Sequence, residues 1–111
     1  MKFLSIGSMK DIFFTLPPSV QRQLMEASLA NMNQDKKAGK ILEFYFIPGS
    51  GRSVVISEVK SVEELVRNIS QTPVTAFMNM ETYPLADFNE SAKSILEGLK
   101  TAEKMFAAPP K

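Results

Sequence analysis

Residues Ile41 to Val59 read ILEFYFIPGSGRSVVISEV, two runs rich in β-branched and aromatic residues on either side of Pro48-Gly49-Ser50-Gly51. Glycine reaches the positive φ that a tight reversal needs, so the stretch predicts a β-hairpin. With a turn of about five residues, Ile47 opposes Ser53, Tyr45 opposes Val55 and Glu43 opposes Ser57. One face of the hairpin is then Leu42, Phe44, Phe46, Val54 and Ile56, suited to holding helices. The other is Ile41, Glu43, Tyr45, Ile47, Ser53, Val55 and Ser57, where serines and a carboxylate sit among apolar residues.

Before the hairpin, Pro17-Pro18 suits the first turn of a helix, because proline lacks an N–H that the turn would leave unpaired anyway. Val20, Leu24, Met25, Leu29 and Met32 follow at helical spacing. Lys36, Lys37 and Gly39 suit the helix's negative end and a left-handed cap. Lys2 to Ser8 reads as a first strand, with Leu4 and Ile6 on one face and Phe3 and Ser5 on the other. Met9 to Leu16 is a connector bearing Phe13-Phe14.

After the hairpin, Ser61-Val62-Glu63-Glu64 is a capping box, and Val62, Leu65, Val66 and Ile69 form the stripe of a second helix that Pro73 stops. Val74 to Tyr83 alternates as a strand, with Thr75, Phe77, Asn79, Glu81 and Tyr83 on one side. Asp87 or Asn89 can cap a third helix whose stripe is Ala92, Ile95, Leu96, Leu99, Ala102 and Phe106.

The order β-α-β-β-α-β plus an extra C-terminal helix predicts an α+β, ferredoxin-like fold with a four-stranded antiparallel sheet. Residues 1–106 read as one domain, with the extra helix over about 89–106 and a frayed tail at 107–111. Helices on one side of the sheet leave the other open, and Phe3, Ile41, Tyr45, Val55, Phe77 and Tyr83 are expected there. So much apolar and aromatic surface predicts a homodimer or higher homo-oligomer that pairs two such faces.

The chain has 111 residues, of which 44% are hydrophobic, with a formal charge of +1. That suits one core. Its basic residues are scattered, so nothing marks a phosphate-binding face and nucleic acid is not an expected partner. With no cysteine and no histidine, thiolate nucleophiles, imidazole bases, Cys-type metal sites and His-rich metal clusters are excluded. The interrupted apolar run in MKFLSIGSMK is too short for a signal peptide, and no span suits a bilayer; a cytoplasmic protein with no membrane partner is expected.

The chain resembles the muconolactone isomerase family, dimeric α+β barrels. The likeness lies in the strand order, in SVEELVRNISQTP, and in METYPLADF, and it covers roughly Met1 to Phe88. The resemblance implies proton transfer on a small cyclic or aromatic carbonyl compound, with no cofactor. A family member that uses a histidine has no counterpart for it here.

Glu43, Glu81 and Tyr45 are the candidate catalytic groups, and Ser5, Ser57, Asn79, Tyr83, Phe77 and Phe13 the candidate substrate-binding ones. A carboxylate enclosed by aromatics is desolvated, which raises its pKa towards the range useful for shuttling a proton. Tyrosine or asparagine can hydrogen-bond an enolate oxygen. Alternatively, Glu43 and Glu81 sit at a dimer rim paired with Arg52 or Arg67, and the protein is a non-catalytic binding or assembly module. Gly49-Ser50-Gly51-Arg52 lacks the strand-to-helix setting of a phosphate loop and reads as a plain turn.

Overall fold

The computed structural model describes residues 1–107; the rest of the expected frayed tail lies outside the described residues. Strands β1 (Lys2–Met9), β2 (Ile41–Ile47), β3 (Arg52–Glu58) and β4 (Met78–Leu85) form one antiparallel sheet in the order β2-β3-β1-β4. Helices α1 (Pro18–Lys37) and α2 (Val62–Ser70) lie on one side of it, and α3 (Phe88–Phe106) follows β4. This is the α+β arrangement read from the sequence. Among the described residues no helix is long and apolar enough to cross a membrane.

Local chemistry sets the helix ends. Gly39 takes φ +79° after α1, a conformation that other L-residues adopt only with strain. Ser61 Oγ accepts from the Glu64 N–H at 3.1 Å. The Glu64 carboxylate reaches back to the Lys60 N–H at 2.8 Å, one residue before the cap that the capping box would engage.

The hairpin register differs from the expected one. The turn occupies only Pro48 to Gly51, with Gly49 and Gly51 both at positive φ, so Ile47 pairs with Arg52 and Tyr45 with Val54. A bulge between Ile41 and Glu43 then reverses the alternation, so that Ile41 pairs with Ser57. A slip of one residue exchanges faces. Val55 and Ser57 therefore share the helix-covered face with Phe44, while Val54 and Ile56 lie on the open face with Tyr45.

The first strand is also inverted relative to expectation. Phe3 and Ser5 are buried on the helix side, where Phe3 packs with Val59, Leu65 and Ile69. Each such side chain contributes about 1.5–3 kcal/mol by leaving water. Leu4 and Ile6 lie opposite Ile56 and Val54 on the open face. The open face is thus Leu4, Ile6, Val54 and Ile56 with Tyr45 and Tyr83, and not Phe3, Ile41 and Val55.

Residues Pro73–Phe77 form a 3-10 turn and β4 starts only at Met78. Proline has no N–H for a ladder, and here it opens the turn that carries Val74 under α1.

Candidate functional site

Few side chains fill the space between sheet and helices. Among the described residues the buried apolar ones are Phe3, Phe13, Ile41, Val59, Leu65 and Val74, and beside them lies a cavity of about 730 Å³. Its floor is the helix-covered sheet face, including Ser5, Phe44, Val55 and Ser57, and its roof is α1, α2 and the 3-10 turn. Such a volume suits a small organic ligand held mainly by apolar contact.

The roof is held by polar ties. Ser28, only 2% exposed, accepts from the Val74 N–H at 3.0 Å. Thr72 Oγ1 donates to Asn31 Oδ1 at 3.2 Å. Removing the Ser28 hydroxyl would leave a buried N–H unpaired, a loss of about 1–3 kcal/mol. Helix α1 therefore turns Gln21, Leu24, Ser28, Asn31 and Asp35 inward, at spacings of three and four residues. Met25 and Leu29, on the expected helix stripe, stand about half exposed on the cavity wall.

The candidate site residues divide between the two sides of the sheet. Ser5, Ser57 and Phe13 line the cavity, and Tyr45 stands at its edge on β2. Ser5 Oγ lies 3.1 Å from Thr82 Oγ1. Phe13 is buried with its edge against Phe14, at 5.4 Å between ring centroids, and against Phe77 at 6.1 Å. Phe77 belongs to the 3-10 turn, so it supports Phe13 and is not on the open face.

Glu81 and Asn79 lie on the open face in a separate cleft of about 330 Å³, with Ile6, Ser8 and Arg52. The Tyr83 hydroxyl donates to Glu81 Oε2 at 2.6 Å, and that bond, reinforced by the carboxylate's charge, raises the Tyr83 pKa above its ordinary 10.0. Glu43 is exposed at the sheet edge, where Lys36 Nζ lies 3.5 Å from its carboxylate. Neither glutamate is enclosed by aromatics, which corrects the expectation that one desolvated face gathers Glu43, Glu81, Tyr45, Ser5 and Ser57. The physical cause is the register, which places alternate residues on opposite sides.

The cavity has a carboxylate of its own, Asp35, half-buried near the end of α1, and a cation, Lys40. The Lys40 N–H donates to the Asp35 carbonyl at 2.9 Å, holding the two residues beside each other. Asp35 was not among the expected site residues; its signal is its place in the inward series with Ser28 and Asn31. Asp35, Lys40, Ser57 and Ser5 all line this cavity; a carboxylate can take up a proton, an ammonium can balance an anionic oxygen and a hydroxyl can orient a polar group.

A family model described as muconolactone delta-isomerase matches residues 2–91. The chain is also similar to muconolactone isomerase as seen in a crystal structure at 3.3 Å resolution. That likeness has a TM-score of 0.69 and 23% sequence identity over 78% of this chain and 90% of that one. No curated protein matches the chain closely enough to count.

Proposed function

Because this chain belongs to the muconolactone delta-isomerase family, we propose that it moves a proton on a small cyclic or aromatic carbonyl compound, a lactone first among them, without a cofactor. The cavity of about 730 Å³ between sheet and helices carries this reading. The ring rests against its apolar wall with the carbonyl near Ser57 and Lys40. The Asp35 carboxylate takes a proton from the carbon beside the carbonyl, and the C–H electron pair forms the enolate. The enolate oxygen is stabilised by the Lys40 ammonium and the Ser57 hydroxyl. Asp35 then returns the proton to a carbon further along, and the double bond shifts with no net loss of atoms or charge. The protein works as a homo-oligomer whose open sheet faces, with Leu4, Ile6, Val54 and Ile56, cover one another.

A non-catalytic binding module is the second reading. It is favoured by the engagement of Glu43 with Lys36 and of Glu81 with Tyr83.

The test is proton exchange and isomerisation of muconolactone and related lactones in D2O, followed by NMR. Asp35→Asn is expected to slow the reaction by about 10²–10⁴-fold while ligand still raises the melting temperature. Glu81→Gln is expected to leave the rate alone. A rate lost in Glu81→Gln and kept in Asp35→Asn would move the chemistry to the small cleft. Ligand stabilisation without any exchange would establish the binding module.

A further inference from the structure

Helix α3 has no buried residue. It projects from a molecule measuring 78 × 30 × 23 Å, and the connector from β4 to α3 is only Ala86-Asp87. Its direction is set there: Asp87 Oδ2 accepts from the Glu90 N–H at 3.0 Å and the Asp87 carbonyl from the Ser91 N–H at 2.9 Å. Along the helix, Phe88, Ile95, Leu99 and Phe106 are 83%, 62%, 57% and 83% exposed. An isolated helix of this length with a bare apolar stripe gains its stability from packing.

The stripe is ordered in a particular way. Phe88, Ala92, Ile95, Leu99, Ala102 and Phe106 follow the alternating four- and three-residue steps of a coiled-coil seam. Their sizes also read the same in both directions about Glu97: Phe88 and Phe106 are equidistant from it, as are Ala92 and Ala102, and Ile95 and Leu99. An antiparallel pairing of two copies about a two-fold axis at Glu97 sets each large residue beside a large one and each alanine beside an alanine. It also opposes the two seam positions of the heptad, as antiparallel packing requires. Glu90, Lys93, Glu97, Lys100 and Lys104 all fall away from the seam, where Glu90 and Lys93 pair at 3.5 Å within the helix.

We infer that α3 is an assembly arm whose partner is α3 of a second copy of this chain, packed antiparallel with its two-fold axis at Glu97. Self-complementarity of this kind is what an isologous interface demands. The family match ends at residue 91, so most of the arm belongs to this chain and not to the matched family region. The seam is under three heptads and closes an assembly that the open sheet faces help to hold.

The chain has no cysteine, so single introduced thiols are unambiguous. Full-length Ala92→Cys and Ala102→Cys chains carrying tags of different mass are mixed and treated with a short bismaleimide. The expected result is a product joining one chain of each kind, with Ala92→Cys alone giving none, since its two copies would sit about 15 Å apart along the axis. Adding Ile95→Glu and Leu99→Glu to both chains is expected to abolish the product while circular dichroism shows the sheet intact. Self-linking of Ala92→Cys would establish a parallel pair and overturn the proposal. So would the absence of mixed product from folded chains, or its survival in the glutamate variants.

Discussion

Tyr83 and Glu81 show what a single contact decides. Separated by one residue, they point to the same side of β4, and the phenol donates to the carboxylate at 2.6 Å. The bond stabilises the neutral phenol, so the folded pKa lies above the ordinary value of 10.0. The sign follows: the stabilisation is fully present below about pH 10 and is lost as pH rises through the higher folded value. An NMR titration of the tyrosine ring is expected to place Tyr83 above 10.0 in the native chain and nearer to it in Glu81→Ala. An unchanged midpoint would remove Glu81 as the cause. The pair was visible in the sequence as two polar residues on one strand face; the hydrogen bond was not, because it depends on rotamers. Ser5 and Ser57 were likewise legible as candidates, but their cavity was not, since the faces of Phe3-Ser5 and Val55-Ser57 follow from the register. Asp35 lay in plain view and lacked only the knowledge that α1 turns a polar series inward.

At the scale of elements, α2 is the most local of the three helices. Ser61 and Glu64 supply its cap, and Leu65 anchors it to Phe3 and Val59. Ser61→Ala removes a side-chain acceptor from the Glu64 N–H and is expected to destabilise the protein by about 0.5–2 kcal/mol, measured by urea unfolding with unchanged slope. No change would mean that water replaces the hydroxyl fully. Strand β2 behaves differently. Its propensity and turn marked it as a strand from the sequence, whereas its bulge between Ile41 and Glu43 depends on the partner strand. That one unpaired residue brings Ile41 to the covered face, where it is buried. Helix α1 is intermediate: its span and the cavity-facing Met25, Leu29 and Met32 were legible, and the inward polar series beside them was not. The difference lies in what it packs on, a cavity roof tied by Ser28 and Asn31 and not a filled apolar core.

For the whole molecule, the radius of gyration is 20.3 Å, against about 13 Å for a compact chain of this length. The excess comes from α3, which leaves the body with its apolar seam in water. Two uncovered apolar surfaces, the open sheet face and this seam, make association the expected behaviour. Sedimentation equilibrium over a dilution series is expected to show an assembly of the 12.4 kDa chain, and Ile95→Glu/Leu99→Glu is expected to dissociate at a concentration at least about tenfold higher, a loss of about 1.4 kcal/mol. Equal dissociation of the two would show that the arm contributes nothing to association.

By itself the sequence determined the kind and order of the elements, their caps and the family, because turn glycines, capping residues and hydrophobic period act over a few neighbouring positions. Tertiary structure alone decided which face of each strand meets the helices, which polar groups share the cavity, and that α3 stands clear of the body. Those outcomes depend on strand register and helix rotation. A shift of one residue in a strand, or a third of a turn in a helix, exchanges inside for outside while leaving every local preference satisfied.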